Sequence, residues 1–253
     1  MNNQPYIDFI HELAEKSGEV IRPWFLNPDL DIEAKQDETP VTIADRRAEE
    51  VMRELIRQRF PGHGIIGEEY GRENEDAEFV WVLDPIDGTI SFTHGSPHFA
   101  TLICLLREGQ PFLGAFHQPI LKQLCLGDNT RTTLNGRVVR VREQRELSRA
   151  TLLTTDIKYI SRYQDQAGFD RLLARTGLFR TWGDCYGYFM VATGRADIVL
   201  DPIMNPWDLL PLIPIIRGAG GVISDWQGKD AVSGTSSVAA NPQLHPQVIE
   251  ILN

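Results

Sequence analysis

The sequence predicts an α+β fold in one compact unit, on three observations. Apolar residues recur at helical spacing near the N-terminus and again after Thr42. From residue 79 short β-rich runs follow one another between turn residues, and beyond about residue 148 strands alternate with helices. The first half, 1–145, therefore combines helices with a largely antiparallel sheet, and the second, 146–253, is α/β. No internal repeat, low-complexity tract or long linker separates them; the charged stretch VREQRELSR around 142 to 150 is the one plausible seam and equally suits a solvated surface.

Taken in order, Ile7, Ile10, Leu13, Ala14, Val20, Ile21 and Trp24 after Pro5 describe an amphipathic helix with one packed face. A second helix follows Thr42, with Ala44, Ala48, Val51, Met52 and Leu55 as its stripe; Thr42 and Asp45 match a capping box with Asp in place of Glu. The runs FVWVLD, FATLICLL, FLGAFHQP, QLCLG and RVVRV read as strands, with turns such as Glu108-Gly109 and Asn135-Gly136 between them. Next come strand ATLLT, a helix near 168 to 175, a helix ending at Gly194, strand DIVL, a helix after Trp207, and strands GGVIS and SVAA.

The bulk numbers narrow the function classes. A chain of 253 residues with 42% apolar content can bury a sizeable core. Its net charge of -10 would repel a phosphate backbone, which argues against non-specific nucleic-acid binding. Cys104, Cys125 and Cys185 lack Cys-x-x-Cys spacing, so buried reduced thiols are expected rather than a disulfide framework or structural zinc. With no signal-like segment and no run approaching a membrane span, a soluble cytoplasmic protein is expected, with no membrane partner.

Acids gather at the ends of elements. VWVL ends in Asp84, Pro85 stops ladder pairing, and Gly88 permits the tight turn from which Asp87 projects. IIGEEYG (65–71) ends a second apolar run in Glu68 and Glu69, NPWDLL puts Asp208 at a helix start, and Asp45 opens another helix. Each piece alone suits an ordinary turn or a helix-dipole partner. Together they suit magnesium, which takes oxygen ligands and keeps waters and room for a substrate phosphate. Two such ions about 3.5–4 Å apart can activate water and stabilise the leaving oxygen of a phosphoryl displacement. Asp84 could bridge two cations while Asp87 completes one, the Gly88 and Thr89 N–H groups could face a phosphate, and the Thr89 hydroxyl with Asp45 could orient a water. The haloacid dehalogenase pattern D-x-D-G-T fits less well: the spacing here is D-x-x-D-G-T, and on a regular strand the extra residue turns the second acid to the other face.

These residues resemble the inositol monophosphatase family of magnesium-dependent phosphatases. The likeness runs through VTIAD (41–45), IIGEEYG (65–71), WVLDPIDGTISF (81–92), VATGRAD (191–197) and WD followed by GAGGVISD (207–225). It implies a layered αβαβα sandwich of the inositol monophosphatase and fructose bisphosphatase type that commonly dimerises. It also implies that Glu68, Asp84 and the Ile86 carbonyl hold one magnesium and Asp84, Asp87 and Asp208 a second, with a third, weaker ion near Glu68. Thr89 and Asp45 would position the attacking water, and Gly88 and Thr89 would contact the phosphate. Departures are Ser91 where the family usually has Asn, Leu210, Pro211 and Pro214 where small residues are usual, and Arg217 where an acid is common. The prolines predict an irregular segment behind Asp208.

For the substrate, a small phosphate monoester, RTWGDCYGY (180–188) offers Asp184 and LDPIMNPWD offers Asp201 as pocket acids, which favours a cationic alcohol. W-G-D-x-Y-G-Y and D-P-x-M-N-P-W-D are similar to the histidinol-phosphate phosphatase branch, so L-histidinol phosphate is preferred over inositol 1-phosphate or a sugar or nucleotide phosphate. A helix cap for Asp184 and a strand end for Asp201 are the competing structural roles. Trp182, Tyr186 and Tyr188 are candidate pocket walls or core. Asp197 reads as a surface acid, and the six histidines, showing no paired ligand spacing, as surface or loop residues. A metal-binding interaction protein without turnover is the alternative from another class.

Overall fold

The computed structural model describes residues 3–34 and 40–253. The two helical patterns form α1 (Gln4–Ile21) and α2 (Ile43–Arg59), and between them β1 (Ile32–Ala34) and β2 (Pro40–Thr42) pair as an antiparallel ribbon. The chain then lays down β3 (Gly64–Gly67), β4 (Gly71–Glu73) and β5 (Phe79–Asp87). A short helix α3 (Thr89–Thr93) leads to β6 (Ala100–Arg107), β7 (Gln110–Gln118), β8 (Gln123–Gly127), β9 (Thr132–Leu134) and β10 (Arg137–Val139). These make an eight-stranded sheet in the order β10-β9-β8-β7-β6-β5-β3-β4, in which β3 and β5 run parallel and the other neighbours antiparallel.

The remainder comprises β11 (Thr151–Leu153), α4 (Ile160–Tyr163), α5 (Gln166–Arg175), β12 (Leu178–Arg180), α6 (Asp184–Ala192) and β13 (Ile198–Asp201). After these come α7 (Pro206–Leu209), α8 (Leu212–Gly218), β14 (Val222–Ser224), β15 (Ser237–Ala240) and α9 (His245–Leu252). Its strands form a five-stranded mixed sheet, order β12-β11-β13-β15-β14.

Strand alternation explains the layering, because a strand that is apolar on both faces must be covered on both. Trp81 and Leu83 of β5 face Phe9 and Leu13 of α1 and Met52 and Ile56 of α2. Val80 and Val82, one step out of phase, join Tyr188 and Phe189 of α6 and Ile213 and Ile216 of α8, a cluster that also contains Val199 and Ala239 of the smaller sheet. On the far face of that sheet Leu152, Ile198 and Val238 meet Phe169, Leu172 and Val248 of α5 and α9. The order of layers is α, β, α, β, α, as the resemblance implied. Among the described residues no helix is long and apolar enough to cross a membrane.

The segment behind Asp208 is irregular, as the prolines predict: the helix expected after Trp207 is two short ones, α7 and α8, with Pro211 at the break, and Asn129 N and the Thr132 hydroxyl donate to the Pro214 and Ile215 carbonyls at 3.3 and 2.7 Å. Other expectations change. Arg217, the odd cation, pairs with Asp230 at 3.0 Å. Asp197 is a buried acid: its Oδ2 accepts from Thr151 N at 2.8 Å and from Arg142 at 3.1 Å, which ties the charged stretch to β11. His63 is half-buried and stacked between Phe60 and Phe79, and His245 is buried against the Ser224 hydroxyl. His117 is buried on β7, with no hydrogen bond to Nδ1 among the described residues, and burial holds its imidazole down to about 4.

His117 has a stability consequence. A histidine whose folded pKa lies below its unfolded value stabilises the fold above about pH 6.5 and loses that contribution as pH falls towards about 4, a difference of about 3 kcal/mol. His117→Leu should therefore flatten the acid side of the stability curve between those limits. Urea unfolding of both proteins at stepped pH measures it, and parallel curves would contradict the burial account.

Candidate active site

Asp84 and Asp87 converge because β5 is bulged between them. Asp84 lies opposite Leu102 and Asp87 opposite Ala100, so three steps along β5 match two along β6. The extra residue of D-x-x-D is absorbed by the bulge, which corrects the expectation that the second acid faces away. The Thr101 hydroxyl holds the bulge by donating to Pro85 O at 2.8 Å. At its end Gly88 takes φ +87°, and a Cβ there would come within 2.6 Å of His98 O, so glycine alone fits.

Glu68 arrives from the turn after β3, where its N–H donates to Leu83 O at 3.2 Å, one residue before Asp84. A buried pair on α2 holds that turn. Glu49 accepts from Glu69 N at 2.8 Å, Tyr70 N at 3.2 Å and Arg53 Nε at 2.7 Å, while Arg53 also donates to Gly71 O. Gly67 lets the pair approach, since a Cβ would overlap the Glu49 carboxylate. Glu49 and Arg53 were missed in the sequence; a charged pair four residues apart beside Ala48 and Met52 of the buried stripe was the available signal.

At the start of α2 the predicted capping box is present. Asp45 Oδ2 accepts from Thr42 N at 2.9 Å and the Thr42 hydroxyl at 2.6 Å, and Thr42 Oγ1 accepts from Ala44 N. Its other oxygen, Oδ1, lies 3.5 Å from Thr89 Oγ1, and that hydroxyl donates to Ile86 O at 3.0 Å. Asp208 Oδ2 accepts from Asn205 N at 2.9 Å at the head of α7, and Asp87 Oδ2 accepts from Cys185 N at 2.5 Å at the head of α6.

One oxygen from each of Asp84, Asp87 and Asp208 falls within 4.8 Å of the others. Like charges at that range in a buried place resist ionisation. Burial, then Glu68, Asp87 and Asp208, hold Asp84 well above the usual carboxylate range, and burial, then Asp184 and Asp208, do the same to Asp87. Burial pushes Asp208 up to about 7, with Glu68 adding to the rise against the Asn205 N–H, and it pushes Asp45 up to about 6. Asp84 Oδ1 is buried with no hydrogen-bond partner among the described residues. A hard divalent cation fits this donor set, since it would satisfy the orphaned oxygen and relieve the repulsion.

These groups line a cavity of about 780 Å³ with Glu68, Ile86, Gly88, Thr89, Ser91 and Asp184 among its walls and, among the described residues, no lysine or arginine. Asp184 opens α6 at φ +47°, its N–H donating to Thr155 Oγ1 at 2.8 Å, and burial followed by Asp201 and Asp208 pushes it up to about 7. Asp201 lines an adjoining space of about 130 Å³ shared with Asp87, Asp184 and Asp208, and accepts from Thr155 N at 2.9 Å and the Tyr188 hydroxyl at 2.9 Å. It thus braces the residue that braces Asp184. Tyr188 is core, Tyr186 half-buried against Phe116 and Phe189, and Trp182 exposed.

The profile of the inositol monophosphatase family matches residues 2–253. The chain belongs to the inositol monophosphatase family. That family is one of metal-dependent phosphatases, hydrolases acting on phosphoric monoesters. Among its members, the chloroplastic bifunctional phosphatase IMPL2 of Arabidopsis thaliana is 44% identical over 95% of this chain and 72% of its own length. A histidinol-phosphatase of Chlorobaculum parvum is 39% identical over 97% and 95%. The solved inositol monophosphatase of Zymomonas mobilis superposes with a TM-score of 0.89 at 35% identity, covering 100% of this chain and 99% of that one.

Proposed function

We propose that this phosphatase hydrolyses L-histidinol phosphate to L-histidinol and phosphate, using magnesium and direct attack by water without a covalent enzyme intermediate. The observation that carries the chemistry is the convergence of Asp84, Asp87 and Asp208 oxygens within 4.8 Å in a cavity large enough for a small ester. Glu68, Asp84, the Ile86 carbonyl, Asp87 and Asp208 would hold two to three ions. Bound magnesium supplies positive charge that lowers the pKa of water and stabilises the leaving oxygen.

The chain's own groups do the rest. Asp45 Oδ1 and the Thr89 hydroxyl orient the attacking water, and Asp45, with its ordinary range pushed up to about 6, takes the proton. Oδ2 of the same carboxylate is tied into the α2 cap, which keeps the base from swinging away. Gly88 and Thr89 N–H groups contact the phosphate oxygens. The ester P–O bond breaks away from the water, and the alkoxide takes up a solvent proton.

For the leaving group, Asp184 together with Asp156 on the same cavity wall suits an ammonium, while we assign Asp201 to positioning through Thr155. The likeness to the Chlorobaculum histidinol-phosphatase supports that choice; the Zymomonas inositol monophosphatase supports an inositol monophosphate as the second reading. A homodimer and a cytoplasmic setting belong to the same proposal; the free, buried thiols of Cys104, Cys125 and Cys185 suit a reducing compartment.

Phosphate release from L-histidinol phosphate, inositol 1-phosphate and 3'-phosphoadenosine 5'-phosphate tests it. L-histidinol phosphate should have the highest kcat/KM, and Asp184→Asn should lower that value about 10- to 100-fold, mostly through KM, as loss of one charge-assisted hydrogen bond requires. A wild-type preference for either other ester would defeat the substrate assignment.

A further inference from the structure

His98 is the one basic side chain among the described residues lining the acid-walled cavity, and neither the cation cluster nor the water-orienting pair uses it. It stands on the loop between α3 and β6, across Gly88 from Asp184: a Cβ on Gly88 would lie 2.6 Å from His98 O and 3.2 Å from Asp184 Oδ2. Two contacts fix its ring. Nδ1 shares a hydrogen bond of 2.7 Å with Ser96 Oγ, and the ring meets Tyr186 edge-on with centroids 5.0 Å apart. Nε2 has no partner among the described residues.

The Ser96 contact admits two tautomers, and in the one where the Ser96 hydroxyl donates to Nδ1 the ring keeps Nε2–H as a neutral donor. We propose that His98, held by Ser96, recognises the substrate by donating Nε2–H to a hydrogen-bond acceptor on the leaving alcohol, on the wall next to Asp184. The chemistry selected is a leaving group with an acceptor, such as a ring nitrogen or hydroxyl, set apart from its cationic or polar end. This rests on the cavity being the catalytic site.

The test compares wild type, His98→Phe, His98→Gln and Ser96→Ala with magnesium, using L-histidinol phosphate, inositol 1-phosphate and phenyl phosphate, whose leaving group lacks such an acceptor. In His98→Phe, which keeps a ring against Tyr186, the kcat/KM ratio of the better acceptor-bearing ester to phenyl phosphate should fall about 3- to 10-fold, through KM, as loss of one neutral hydrogen bond predicts. His98→Gln should recover most of the loss, Ser96→Ala should show part of it, and inhibition by inorganic phosphate should stay within about twofold of wild type. An unchanged ratio, or an equal loss on phenyl phosphate and in phosphate inhibition, overturns the assignment while the catalytic reading stands. Absence of magnesium-dependent turnover in the wild type overturns both.

Discussion

Asp87→Asn is expected to lower magnesium-dependent phosphate release at least about a thousandfold, which corresponds to about 4 kcal/mol of lost transition-state stabilisation. The reason is charge rather than shape. Asparagine keeps an oxygen to accept from Cys185 N, so the head of α6 stays capped, but it removes one of the three carboxylates within 4.8 Å. Because Asp87 is held above the carboxylate range by burial and by Asp184 and Asp208, its neutral replacement should leave melting in chelator unchanged or raised at neutral pH. Rate assays with and without magnesium, alongside thermal melts in chelator, measure both arms. Undiminished turnover would remove Asp87 from the catalytic machinery.

Glu49→Ala should have the largest effect on stability outside the apolar core. It takes the buried carboxylate from Arg53, which is 4% exposed and among the described residues keeps only Gly71 O and the half-exposed Glu73 at 3.6 Å, and leaves the Glu69 and Tyr70 N–H groups without their acceptor. Breaking a buried ion pair from one side costs about 3–5 kcal/mol, a large share of the roughly 5–15 kcal/mol that holds a domain folded. Activity should fall with it, since this pair fixes the turn that carries Glu68. Urea unfolding reads the stability loss, and the double variant Glu49→Leu/Arg53→Leu should lose less than the two single changes summed. Additive losses would mean that the two residues act independently.

Legibility in the sequence tracked how many residues each feature spans. α1, α2 and the long strands β5, β6 and β7 have enough residues for periodicity to declare itself, and the Thr42/Asp45 cap is a local pattern the structure reproduces atom for atom. Three-residue strands such as β4, β9 and β12 are too short to alternate visibly, and α9, with Pro246 in its first turn, was missed. Asp84, Asp87 and Asp208 were found as acids at the ends of elements. The β5 bulge that brings the first two together depends on pairing with β6, which the sequence does not display. Asp197, His117 and His245 went astray for a related reason. A polar residue is read as exposed until its partner is known, and Arg142 and Ser224 are distant in the chain from the residues they satisfy.

The central claim is that carboxylates from three separate segments share divalent cations. Anomalous diffraction from crystals soaked in manganese, which substitutes for magnesium at oxygen sites, tests it most directly. The account predicts peaks bounded by Asp84, Asp87 and Asp208, with Glu68 at their edge, and loss of those peaks in Asp84→Ala. A map with manganese elsewhere and none among these oxygens would contradict it.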